Sequence, residues 1–220
     1  MASSVRPLVV GLAGASCSGK TTLANMLAGK IFSHCTVLHQ DDFYYEESCE
    51  KHVLVEGMMG HMNWELVTAF DMLKMRKSAE KFVTDKGASV PRAVLSEVLS
   101  RVRGLPASPA VGDVKKAVVG YCRPILLLEG ITVLNDPKTA AMCDVKLFIE
   151  LDREEMLRRR GGRSYDPPDP PEYAEKVVWP YYEKNLAEVK SALNDVVYLD
   201  GKSSLDALLK LTVLEIVGCL

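Results

Sequence analysis

The sequence predicts an α/β chain in three layers: a five-stranded parallel sheet between helices. Two observations lead there. Short apolar runs alternate with stretches of helical periodicity, and a glycine-rich loop separates the first apolar run from the first helical one. Size agrees: 220 residues, 48% hydrophobic and 25% charged, can bury a core without disulfide or metal staples. A single domain over 1–220 is expected.

The elements follow in order. Leu8–Ala13 is an apolar run of the kind that fills a buried parallel strand. Gly14–Gly19 has no period and reads as a loop. Leu23, Met26, Leu27 and Ile31 then keep helical spacing from Lys20. Thr36–Gln40 reads as the second strand, ending at Asp41-Asp42. Residues 43–63 lack a clean period and form a long, functional loop. Leu66, Phe70, Leu73 and Phe82 predict a helix over Trp64–Val83. Gly87, Pro91, Gly104, Pro106, Pro109 and Gly112 break up 84–124, a variable insertion with one expected helix, Ala93–Val102. Ile125–Leu128, Val145–Leu151 and Val196–Leu199 are the remaining strands. An arginine-rich helix is expected over Asp152–Arg160. The proline-rich stretch Tyr165–Tyr173 cannot be regular, and a helix over Glu175–Leu193 should kink at Pro180. Ser203 or Ser204 caps a terminal helix.

Composition excludes several classes. Lys plus Arg number 27 and Asp plus Glu 29, a net charge of −2. Such a balance argues against a nucleic-acid partner, which calls for a basic footprint, but leaves room for a local cluster that holds a small anion. The six cysteines show no zinc-like spacing and read as free thiols of a reducing compartment. No apolar run approaches the roughly 18 residues of a membrane span. The run at Leu8 lacks signal-peptide flanks, and Gly218-Cys219-Leu220 is not a prenylation box. A cytoplasmic protein without a membrane partner is expected, with monomer and dimer both open.

Gly14-Ala15-Ser16-Cys17-Ser18-Gly19-Lys20-Thr21 fits G-x-x-x-x-G-K-[ST] at every fixed position, with Thr22 following. The glycines permit a tight loop whose backbone N–H groups wrap a phosphate at a helix N-terminus. Lys20 can reach the β- and γ-phosphates, and the Thr21 hydroxyl can ligate Mg²⁺. The expected cofactors are therefore ATP and Mg²⁺, in a nucleoside-triphosphate hydrolase type of P-loop fold. No N-K-x-D tetrapeptide is present to read guanine. A small kinase needs three further parts, and each has a candidate. Asp41 or Asp42, just past the second strand, can serve as base. Glu129, at the end of Ile125–Leu128, can hold Mg²⁺ on its far side. Arg153, Arg158, Arg159, Arg160 and Arg163 crowd the approach to the proline-rich stretch, as a water-excluding lid over about 158–175 would require.

These residues together resemble the nicotinamide riboside kinases, within the wider uridine kinase and phosphoribulokinase group. The likeness rests on the phosphate loop, His39-Gln40-Asp41-Asp42-Phe43-Tyr44, Asn63-Trp64-Glu65 and Leu126–Gly130. It continues through Arg158–Arg163, Tyr165, Pro167-Pro168-Asp169-Pro170, Val178-Trp179-Pro180-Tyr181 and Val196–Gly201. The resemblance implies a nucleoside kinase-like fold with a lid, and 5′-phosphorylation of nicotinamide riboside, and of nicotinic acid riboside, feeding NAD synthesis. It implies Asp41 as general base, Lys20, Thr21 and Glu129 as the MgATP group, Trp64 and Tyr165 around the nicotinamide ring, and Tyr44 among the substrate residues. Arg160 corresponds to an arginine on the ribose hydroxyls, and Arg163 to a lid residue near the phosphates. The family has Asp where this chain has Glu65, whose carboxylate sits one methylene further out. A shift of ~1 Å can cost on the order of 100-fold in rate, so either the backbone there is withdrawn or the substrate differs. A uridine or cytidine kinase of the same fold, a nucleotide-binding scaffold without kinase activity, and a kinase for another small alcohol such as pantothenate are the alternatives.

Overall fold

The computed structural model describes residues 6–58, 60–85, 92–165 and 168–219. Gly87, Pro91 and Pro167, read above as loop residues, lie outside the described residues. Five parallel strands form one sheet: β1 (Leu8–Gly14), β2 (Cys35–His39), β3 (Ile125–Glu129), β4 (Val145–Glu150) and β5 (Val196–Asp200), in the order β2-β3-β1-β4-β5. The central strand β1 pairs with β3 on one side (Val10 opposite Leu127) and β4 on the other (Leu12 opposite Leu147).

Strand alternation sends side chains to two separate cores. Leu8, Val10, Leu12, Ile125, Leu127, Leu147 and Ile149 pack against helices α1 (Lys20–Met26), α3 (Arg92–Arg103), α4 (Val111–Ala117) and α8 (Leu205–Gly218). Val9, Ala13, Leu126, Leu128 and Phe148 pack against α2 (Met72–Asp85), α5 (Pro137–Met142), α6 (Arg153–Arg160) and α7 (Trp179–Ala192). Both sheet faces are covered, which is why the strands read as continuous apolar runs. Among the described residues no helix is long and apolar enough to cross a membrane.

Several expectations need correction. The helix expected from Trp64 starts only at Met72. Phe70 is extended and bridges antiparallel to Tyr44, while Asp71 Oδ1 accepts the Lys74 N–H at the helix start. The burial of Phe70 thus comes from neighbouring segments and not from a helix face. The expected kink at Pro180 is instead a wide π-type turn over Ala174–Val178, and Pro180 falls in the first turn of α7, where its missing donor is no loss. Gln40 belongs to a 3₁₀ turn over Gln40–Phe43, outside β2. Two short helices, α4 and α5, carry too few apolar positions to show a period. The insertion is woven into the fold: Leu95, Val98 and Val102 of α3 and Val114 of α4 are buried in the first core beside α8.

Candidate active site

The carboxyl ends of β1, β2 and β3 and the segment after β4 converge on one cleft of about 430 Å³, the usual place for a site in a parallel sheet. At its floor the phosphate loop turns tightly over β4. Gly14 has φ +144, and a Cβ there would lie 2.2 Å from the Ile149 carbonyl oxygen, so only glycine fits. Ala15 N–H donates to that same carbonyl at 3.1 Å. Cys17 holds a left-handed φ of +61, a backbone reversal that turns successive N–H groups toward one centre. Ser16, Cys17, Lys20 and Thr21 line the cleft. Gly14, Ala15, Ser18, Gly19 and Thr22 do not line it, and serve the loop through backbone shape and the start of α1. Ser18 Oγ is buried without a partner, a free hydroxyl inside a loop built for an anion.

Lys20 is buried, and its ammonium donates to Ala15 O at 2.7 Å. Burial lowers its pKa, against the charges of Glu129 and Asp41. Thr21 Oγ1 donates to Glu129 Oε1 at 3.2 Å, and His39 Nδ1 lies 2.8 Å from Glu129 Oε2. A hydroxyl and a carboxylate side by side are the hard oxygen donors that Mg²⁺ takes, completed by water and phosphate oxygens, so Thr21 and Glu129 fit the ion. His39 is a partner of Glu129 that its position at the end of a strand did not announce.

Gln40, just before Asp41, is fixed beside the end of β3. Its side chain pairs twice with Thr132, accepting from the backbone N–H at 3.0 Å and donating to Oγ1 at 2.8 Å. It packs so closely on Gly130 that a Cβ there would lie 2.2 Å from Gln40 Oε1. Asp41 opens onto the cleft. Burial and then the Glu129 charge raise its pKa, opposed by Lys20 and His39. Asp42 does not line the cleft; between the two candidate bases the fold brings Asp41 to the site.

The far wall is aromatic and acidic. Tyr44 donates to Trp64 O at 3.2 Å and meets the Trp64 ring edge-on at 5.4 Å. Beside it, Glu65 is buried, and burial lifts its pKa to about 7, against the pull of Arg160 and Lys20. Arg160 reaches across from α6. It donates to Asp169 through Nε at 2.8 Å and Nη2 at 3.1 Å, and to Ser16 Oγ at 2.8 Å. Its guanidinium lies 4.1 Å from the centre of the Tyr165 ring, whose hydroxyl is 3.3 Å from Cys17 Sγ. Arg163 is exposed at the rim of the cleft. Arg159 donates to Cys17 O and Gly201 O, tying α6 to the phosphate loop. Arg153 and Arg158 do not line the cleft. The Arg160–Asp169 pair and the buried Tyr173 behind it were not singled out by motif.

Fold and site together define a P-loop kinase. Nicotinamide riboside kinase 1 of Rattus norvegicus is 32% identical over 200 residues, covering 91% of this chain and 89% of that protein. Nicotinamide riboside kinase 2 of Mus musculus is 30% identical over 201 residues, 91% of each chain. A uridine kinase of Bacillus cereus (strain AH820) is 25% identical over 158 residues, 72% of this chain and 67% of that protein. No family model matches the chain. At that identity and coverage, the chain belongs to the nicotinamide riboside kinase family.

Proposed function

We propose that this kinase transfers the γ-phosphoryl group of ATP to the 5′-hydroxyl of nicotinamide riboside, and of nicotinic acid riboside, giving the mononucleotide for NAD synthesis. The observation that carries the reading is a single cleft in which the phosphate loop and Asp41 face Trp64, Glu65, Arg160 and Tyr165. The relatives that share nine-tenths of the chain bear that substrate in their names.

In this reading Asp41 accepts the hydroxyl proton as the oxygen attacks phosphorus in line, and its raised pKa makes it the stronger base. Lys20 exchanges Ala15 O for the β- and γ-phosphates. Thr21 and Glu129 would hold Mg²⁺, which when bound would offset charge on the transferred group. Arg160 and Arg163 add positive charge from the lid side. Trp64 and Tyr165 flank the nicotinamide ring, favouring a cationic pyridinium through cation–π attraction. Glu65 and Arg160 take the ribose hydroxyls. Glu65 lies buried beside Asn63, whose Oδ1 accepts the Glu65 N–H at 3.1 Å, an anchored backbone that accommodates the longer acid. Free thiols at all six cysteines suit a cytoplasmic enzyme.

Initial rates with nicotinamide riboside, nicotinic acid riboside, uridine and cytidine, each with MgATP, test the substrate. The expected result is the highest kcat/KM on the pyridine ribosides, with the preference for nicotinamide riboside reduced about tenfold in Trp64→Leu. Preference for uridine would make the protein a pyrimidine nucleoside kinase. ATP binding without transfer to any nucleoside would make it a scaffold.

A further inference from the structure

Tyr173 lies outside the cleft lining, 1% exposed, at the point where the irregular lid stretch re-enters the fold. Its hydroxyl accepts the backbone N–H of Trp64 at 3.1 Å and is 3.4 Å from the Met62 carbonyl, to which it donates. One side chain thereby satisfies both backbone groups that flank Asn63, in a loop that has no strand partner at Trp64. Buried backbone groups need such partners. The ring of Tyr173 is held in turn: the His61 ring meets it edge-on at 4.5 Å, and the Arg160 guanidinium lies 5.8 Å from its centre. The preceding residue, Glu172, adopts a left-handed φ of +64. A non-glycine residue keeps such a backbone only where its surroundings impose it, and here the imposed feature is the seating of Tyr173.

We propose that Tyr173 is a positioning residue for the acceptor: its hydroxyl clamps the Met62–Trp64 backbone to the lid segment, and so places Trp64 and Glu65 at the distance from Arg160 and Tyr165 that a nucleoside spans. The proposal rests on the reading of the Trp64–Glu65 wall as the acceptor site. The phosphate-loop residues that line the cleft, Ser16, Cys17, Lys20 and Thr21, are not hydrogen-bond partners of Tyr173, so the ATP KM is the control. Glu65 adds a second tie to the same framework, since Asn185 Nδ2 of α7 donates to its carbonyl at 3.4 Å.

The test is Tyr173→Phe, which keeps the ring and removes only the hydroxyl. The expected result is an acceptor KM raised about tenfold, the scale set by the loss of the two hydrogen bonds of that hydroxyl, with the ATP KM unchanged. In a Trp179→Phe background, Trp64 emission on adding nucleoside shifts less in the variant than in the parent. Equal changes in both KM values, or an unchanged acceptor KM with only a lower melting temperature, would overturn the proposal and leave Tyr173 a packing residue. Amide hydrogen exchange on the unsubstituted protein gives a reading free of the variant's folding: slow exchange at Trp64 N–H is expected, and fast exchange overturns the clamp. If uridine proves the true acceptor, the proposed substrate fails while the same KM split, measured with uridine, still decides the role of Tyr173.

Discussion

Asp41 and Glu65 are both carboxyl groups whose pKa the fold raises through burial, yet they carry opposite expectations. Asp41 opens onto the cleft. Asp41→Asn should keep ATP affinity within about twofold and lower kcat on the order of 10³-fold, the middle of the range for a positioned general base; equilibrium ATP titration beside steady-state kinetics checks both halves. For Glu65 the sign concerns stability. Its pKa rises from 4.5 to about 7 on folding, so the folded chain binds the extra proton between those values. The stabilisation is complete below about pH 4.5 and is lost as pH rises through 7. A shift of that size corresponds to on the order of 3 kcal/mol. Glu65→Gln, neutral throughout, should therefore melt higher than the parent at pH 8 and show little difference at pH 5. A gap between the two proteins that does not change with pH would show that Glu65 is not protonated on folding.

At the scale of elements, the phosphate loop depends on a backbone fit as much as on its side chains. Gly14→Ala would drive a methyl group to 2.2 Å from the Ile149 carbonyl at a φ of +144. Strain and overlap together should cost about 3 kcal/mol or more, read as a lowered urea midpoint, and ATP binding should fall with it. Helix α6 shows the complementary lesson. Its arginines announce themselves as a run, but their roles separate only through long-range partners. Arg158 pairs with Glu155 one turn earlier on the exposed face of α6, Arg159 reaches Gly201, and Arg160 alone turns inward to Asp169 and Ser16. Three consecutive arginines on a helix point about 100° apart, so the run could not say which one faces the cleft.

For the molecule as a whole, the described part of the expected insertion, residues 92–124, contributes α3 and α4 to the first core. Val98 of α3 is fully buried in the first core, where α3 meets α8. Val98→Ala should destabilise the protein by about 2 kcal/mol, the transfer of two methyl groups plus a residual cavity, with kcat unchanged. Chemical denaturation with a parallel rate assay checks it, and a loss below about 0.5 kcal/mol would assign the insertion to the surface. The sequence by itself determined the strand–helix alternation, the phosphate loop with Lys20 and Thr21, and the acids at the ends of β2 and β3. Each of these is a local pattern, written in neighbours within a few positions. Only the tertiary structure decided that Asp41 and not Asp42 faces the cleft, that Arg160 meets Asp169, that Glu65 is buried enough to hold a proton near neutrality, and that Tyr173 seats itself behind Trp64, 109 residues away. Burial and long-range hydrogen bonds have no period along a chain, because they arise where distant segments meet.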